Sequence, residues 1–173
     1  KVLFTAHFDE VGFQVTQILN NGRIKFLPVG WVFPNRMNHQ TIYIKSKDQQ
    51  IKGVALPDRE LKVENIEDFN DLYISIGVDS IDEVNKLGIT PGQTGTFTKE
   101  FHETENLIIS SALDNKIAVL SLIEIAQTHP EFLVNNAIAF VTDEEMEDHS
   151  ANGLGHKFNP DLVVVLDYCP VHH

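Results

Sequence analysis

The sequence predicts an α/β fold: a sheet of apolar strands flanked by helices, interrupted by a small inserted antiparallel β-barrel. Three observations carry this. Val2-Leu3-Phe4-Thr5-Ala6 is a near-continuous apolar run, of the kind that strands buried on both faces of a parallel sheet require. Residues 12–98 change to apolar–polar alternation punctuated by turn signals, as antiparallel strands with one wet face do. From about Asn106 the chain alternates again between a helix-like segment and apolar strands, the pattern of a parallel sheet. The barrel (12–98) is thus an insertion within one α/β domain made of residues 1–11 and 99–173.

The elements follow in order. Residues 1–6 form the first buried strand. Phe13-Gln14-Val15-Thr16-Gln17-Ile18 alternates, Asn21-Gly22 is a hairpin turn signal, and Arg23-Ile24-Lys25-Phe26 alternates after it. Thr41 to Lys45, Ile51 to Leu56, Leu72 to Ile76 and Thr94 to Phe97 continue the barrel. Between the last two, Ser80 to Leu87 reads as one short helix: Ser80 caps it, Glu83 completes a capping box and Gly88 stops it. Asp114 to Thr128 carries Ile117, Ala118, Leu120, Leu122, Ile123, Ile125 and Ala126. A helix apolar on nearly all faces is expected to be buried, and Pro130 ends it. A strand over 137–142, a polar Gly-containing loop over 146–157 and a strand over 162–166 complete the chain.

Composition excludes some classes. The 173-residue chain has 42% hydrophobic residues and a net charge of -12. Nucleic-acid binding needs Lys and Arg to displace counterions, so this charge argues against it, and equally against anionic membrane surfaces. No apolar run approaches the ~20 residues that span a bilayer. Cys169 is the lone cysteine, which forbids an intrachain disulfide and fits a reducing cytosol. The N-terminus reads as a strand, not a signal peptide. The absence of an initiator Met and the abrupt ending Pro170-Val171-His172-His173 suggest a piece truncated at both ends.

The strand ends carry the chemistry. Glu144-Glu145 stands where the apolar run 137–141 stops, and adjacent carboxylates repel, so packing alone rarely puts them there. His7 and Asp9 follow the first strand, Asp114 opens the long helix, and Asp167 ends the last strand. Sites in open α/β sheets form outside the carboxyl ends of the strands. A metal hydrolase needs a cation to polarise a carbonyl and acidify water, and a base not spent on coordination. Zn²⁺ or Co²⁺, with Mn²⁺ a further option, accepts His nitrogen and carboxylate oxygen. His7, Asp114, Glu145 and Asp167 are the candidate metal ligands, Glu144 the candidate general base, and Asp9 the carboxylate that orients the His7 imidazole. Taken singly, each has a plainer reading: His7 a loop histidine, Asp114 a helix N-cap, Asp167 a turn residue. Glu144-Glu145 could be the start of a solvated acidic loop that Asp143, Glu147 and Asp148 extend.

Several motifs, in order, resemble a known family. Ala6-His7-Phe8-Asp9-Glu10-Val11-Gly12-Phe13 resembles the His-x-Asp-Glu-x-Gly-Phe motif of the M42 metallo-aminopeptidases, the glutamyl aminopeptidase and TET-type group once also labelled cellulases. Gly88-Ile89-Thr90-Pro91-Gly92, Ala112-Leu113-Asp114-Asn115-Lys116, Asp143-Glu144-Glu145 and Pro160-Asp161 with Asp167 are similar to further motifs of that family. The resemblance implies a zinc-peptidase-like sheet with an inserted PDZ-like dimerisation barrel. It implies two divalent metal ions, a peptide substrate cleaved at its N-terminal residue and a homo-oligomer (dimer or dodecamer), to which charge and the lone cysteine add a cytoplasmic place with no nucleic acid or membrane partner. His7 would bind one ion and Asp167 the other, Asp114 would bridge them, Glu145 would be a ligand, Glu144 the base and Asp9 the holder of His7.

The chain also departs from the family. Met146-Glu147-Asp148-His149-Ser150 is more polar and bulkier than the Val-Gly and small residues usual there, and Lys116 replaces an Arg. The family's fifth ligand, a C-terminal His, lies beyond this chain, with His172, His173 or His149 as candidate stand-ins. Two rivals stand beside the aminopeptidase reading: a catalytically degenerate peptide-binding or scaffold subunit, and another hydrolase of the same fold such as a deacylase.

Overall fold

The computed structural model describes residues 1–173 except 48, 59–61, 63–64, 147–148 and 170–173, and only the backbone of 149–152. The chain divides into two compact units, one of Lys1–Glu10 with Ser110–His173 and one of Val11–Ile109.

The first unit is built on a three-stranded sheet. β1 (Val2–His7) lies between β10 (Asn136–Val141) and β11 (Leu162–Val165). Both pairings are parallel, with His7 opposite Val141 and Thr5 opposite Val165. The central position explains the apolar composition of β1: neighbours satisfy its backbone on both edges, and Leu3 and Ala6 are buried. α3 (Leu113–Thr128) packs on β1, closing a small core of Ala6, Ala118 and Leu122 with Phe4, Val119, Ile125, Ile138 and Leu166 around it.

Three expectations for this unit need correction. α3 is not buried on all faces: Ala118 and Leu122 are, but Ile117 and Leu120 are 50% and 61% exposed. Apolar residues occupy every face of this helix, whereas the described sheet covers one. Its first turn is also irregular, since Asp114 and Asn115 have non-helical backbone angles. The polar segment after β10 is not a plain loop; it includes a short 3-10 turn (Glu144–Met146) and the helix α4 (His149–Phe158). Gly153 and Gly155 each weaken a helix by about 1 kcal/mol relative to Ala, which is why composition argued for a loop. The expected extension of the acidic run through Glu147 and Asp148 lies outside the described residues.

The second unit is a closed six-stranded antiparallel barrel of order β2-β3-β6-β5-β4-β7. Its strands are β2 (Gly12–Ile18), β3 (Ile24–Val29), β4 (Thr41–Ser46), β5 (Gln49–Pro57), β6 (Leu72–Ser75) and β7 (Thr94–Phe97). Alternation does what it predicts: Phe13, Val15, Ile24, Phe26, Ile42, Ile44, Leu72 and Ile74 fill the interior. Gly22 takes φ +77° in the β2–β3 turn, and a Cβ there would sit 2.5 Å from the Val78 carbonyl oxygen. α2 (Ile81–Lys86) begins as expected, with Ser80 Oγ accepting from the Glu83 N–H at 3.3 Å and donating to Glu83 Oε2 at 2.8 Å. The one-turn α1 (Pro34–Met37) and the small sheet of β8 (Phe101–Glu103) and β9 (Ile108–Ser110) were not expected.

Candidate metal centre

Parallel pairing sends the carboxyl ends of β1, β10 and β11 to one edge of the first unit's sheet, where such folds build sites. His7 is the last residue of β1, and Asp9 follows it. Glu144 and Glu145 lie in the 3-10 turn after β10, and Asp167 lies just past β11. Asp114 stands at the irregular start of α3, whose N-terminus has no side-chain cap. Its carboxylate faces His7 instead of capping the helix.

His7 is the hub, only 2% exposed. Its Nε2 lies 3.0 Å from Asp114 Oδ1, 3.6 Å from Glu144 Oε2 and 3.6 Å from Asp167 Oδ1. On the other side of the ring, Nδ1 faces Asp9 Oδ1 at 3.4 Å. Donor atoms of His7, Asp114 and Asp167 all lie within 4.8 Å of one another, as do those of His7, Glu144 and Glu145. All six residues expected at the site therefore gather around one imidazole. Asp114 and Asp167 approach the same ring nitrogen of His7, Nε2.

Asp9 joins two parts of the cluster. One oxygen faces His7, and the other accepts the Glu145 backbone N–H at 3.4 Å. His7 Nδ1 and Asp9 Oδ1 are both buried and, though near each other, are not aligned as a made hydrogen bond. An imidazole that gives Nε2 to a cation keeps its proton on Nδ1, and a carboxylate there is the usual partner.

The electrostatics match. Burial alone would lower the His7 pKa. The Glu144 charge, the Asp114 hydrogen bond and the charges of Asp167 and Asp114 outweigh it, so the pKa is raised. Glu145 is pushed above the usual carboxylate range by burial, then by the Asp114 charge, with Glu144 and Asp9 adding and His7 opposing. Five carboxylates around one imidazole repel one another, and a divalent cation is the countercharge such a donor set fits. Lys116 does not supply it directly; its Nζ pairs with Glu10 at 3.2 Å. Among the candidate fifth ligands, His172, His173 and the side chain of His149 lie outside the described residues. Sequence reading quoted Asn115 within the Ala112–Lys116 motif but gave it no role; its buried side chain donates to the Leu166 carbonyl.

The family model for M42 glutamyl aminopeptidases matches residues 1–173. The chain belongs to the M42 glutamyl aminopeptidase family. The M42 relatives include FrvX of Escherichia coli K12, 31% identical over 96% of this chain and 49% of that protein. The lysyl aminopeptidase of Pyrococcus furiosus is 26% identical over 96% of this chain and 50% of its own length. Among solved structures, the Pyrococcus horikoshii TET1 peptidase, described as assembling into a tetrahedron or a large octahedral shell, matches with TM-score 0.84 at 24% identity. That match covers 98% of this chain and 54% of the other, and shows the fold alone. The chain spans about half the length of the curated relatives it matches.

Proposed function

We propose that this M42 member is a metal-dependent aminopeptidase that removes N-terminal residues from peptides. The observation that carries the reading is the convergence of Asp114, Glu144 and Asp167, from three separate segments, on His7 Nε2 within 3.0–3.6 Å. His7, Asp114 and Asp167 would hold one divalent ion, a reading supported by both carboxylates facing His7 Nε2 and preferred to one in which His7 and Asp167 serve different ions; Asp114 and Glu145 would contribute to the second. Zn²⁺ or Co²⁺ suits this mixed donor set, and Mn²⁺ the oxygen-rich part of it. When bound, the ions supply Lewis acidity, polarising the scissile carbonyl and acidifying the attacking water.

The chain's own residues do the rest. Glu144 takes a proton from water as the new C–O bond forms, and gives it to the amide nitrogen as the C–N bond breaks. Asp9, whose Oδ1 lies 3.4 Å from His7 Nδ1, would accept the Nδ1 proton of the metal-bound ring and thereby aim Nε2. Burial of His7 fixes the ring before substrate arrives. A degenerate scaffold subunit is the weaker reading, because a site freed from catalysis has no reason to keep these six side chains together.

The barrel is proposed as a PDZ-like self-association unit inserted in the catalytic domain, and the protein as a cytoplasmic homo-oligomer, dimer or dodecamer. Among the described residues no helix is long and apolar enough to cross a membrane. The test of the catalytic reading is hydrolysis of aminoacyl-anilides by the metal-loaded full-length protein. Activity that disappears with chelator and returns with Zn²⁺ or Co²⁺ is expected; no activity with either ion bound would support the scaffold reading.

A further inference from the structure

A buried side-chain amide links the segments that carry the candidate ligands. Asn115 is fully buried, an uncommon place for an amide. Its Nδ2 donates to the Leu166 carbonyl at 2.8 Å. The Leu166 N–H in turn donates to the Thr5 carbonyl at 2.9 Å. Three elements are thus joined in series: β1, the end of β11 and the start of α3. Each joint is next to a site residue. Asp167 follows Leu166, Asp114 precedes Asn115, and His7 lies shortly after Thr5 on the same strand.

Packing does not account for this residue. Asn115 Oδ1 is buried without a hydrogen-bond partner, so the amide is only half satisfied, and an unmet buried acceptor is costly. A leucine of similar size would fill the space without that cost. What leucine lacks is the donor to Leu166. The bond's consequence is geometric: it fixes how far the Asp114 segment stands from the Asp167 segment, and both carboxylates point at one imidazole nitrogen. We propose that Asn115 is a positioning residue for the metal centre, setting the Asp114–Asp167 spacing through the Leu166 carbonyl. The proposal rests on the metal-centre reading given above.

The test is Co²⁺ titration of the metal-free full-length protein, read by the visible d–d spectrum and by bound ions per chain, in wild type, Asn115→Leu and Leu122→Ala. Leu122 is buried in the same small core but offers no polar atom, so it controls for loss of stability. Asn115→Leu is expected to weaken Co²⁺ binding by roughly 10–100-fold, as losses of outer-shell partners do, and to change the spectrum. Leu122→Ala is expected to lower the melting temperature and leave the spectrum as in wild type. Wild-type affinity and spectrum in Asn115→Leu would overturn the positioning role while leaving the metal centre standing; equal spectral change in Leu122→Ala would overturn it too. Wild type that takes up no Co²⁺ overturns the metal centre and this role with it. If Asn115→Leu does not fold, the wild-type side-chain amide decides. Its protons should exchange slowly with solvent and shift as Co²⁺ or Zn²⁺ is added, whereas fast exchange or no shift would refute the proposal.

Discussion

Glu144→Gln separates a base from a ligand. The geometry alone permits both, because Glu144 belongs to one of the two groups whose atoms converge with His7. Gln keeps the shape and one acceptor oxygen but cannot take a proton. If Glu144 is the base, hydrolysis should fall by the ~10²–10⁴ that general-base catalysis supplies, about 3–5 kcal/mol in the barrier. Bound metal should stay nearly unchanged. A second consequence concerns His7. Two unit charges 3.6 Å apart interact by about 1 kcal/mol at water's dielectric and by about 5 kcal/mol at an effective value of 20. Glu144 is 33% exposed, so the lower figure governs. Removing the charge should therefore lower the His7 pKa in the metal-free protein, since Glu144 is the largest of the influences raising it. Aminoacyl-anilide turnover, metal analysis and an NMR titration of the His7 ring read these effects. Loss of an ion along with activity would refute the base assignment and make Glu144 a ligand. Retention of full turnover would remove it from the chemistry.

Further outcomes follow from the same geometry. Asp114→Ala should empty both ion sites, and retention of two full equivalents by metal analysis would rule out bridging. For the metal-free protein, His7 and Glu145 both have raised folded-state pKa values. Their contribution to stability is fully present below the unfolded values of ~6.5 and ~4.3 and is lost as pH rises through the folded ones. In the acid range Glu83 and Asp161, whose pKa values are lowered, act in the opposite sense, so the test lies higher: the melting temperature should fall as pH rises through the histidine range, and saturating Zn²⁺ should remove most of that fall; a rise over that interval would contradict the assigned His7 shift. Gly95→Ala should destabilise the barrel strongly, because the new Cβ would overlap the Phe13 ring and lie 2.6 Å from the Tyr43 carbonyl oxygen. An unchanged denaturation midpoint would show that β2, β4 and β7 do not approach as described.

Much of the fold was legible because hydrophobic pattern follows strand type; in β1 and the barrel it also follows burial, whereas Leu162, Val163 and Val165 of β11 are exposed. The apolar runs of β1, β10 and β11 mark a parallel sheet, and the alternation of Phe13 to Ile18 with the Asn21-Gly22 turn marks a barrel hairpin. The rest was hidden for identifiable reasons. α4 contains Gly153 and Gly155, so its local preference opposes its structure. α1 is a single turn, too short for periodicity to register. The exposure of Ile117 and Leu120 depends on what lies beside α3, which a helix read alone does not contain. At the site, residue types at strand ends were sufficient to nominate all six side chains. That Asp114, Glu144 and Asp167 share Nε2 of His7 was not legible, because it depends on where the sheet register and the irregular start of α3 bring them. Asn115 was given no role because its bond is to a backbone carbonyl, and any residue can supply a carbonyl.

The claim most exposed to test is that one imidazole and its surrounding carboxylates form a cation site. Equilibrium dialysis of the metal-free protein against Zn²⁺, with and without His7→Ala, tests it most directly. Wild type should bind two ions per chain, and His7→Ala should lose at least the ion shared with Asp114 and Asp167. Tight binding that ignores the loss of His7, or no tight binding in wild type, would contradict the account.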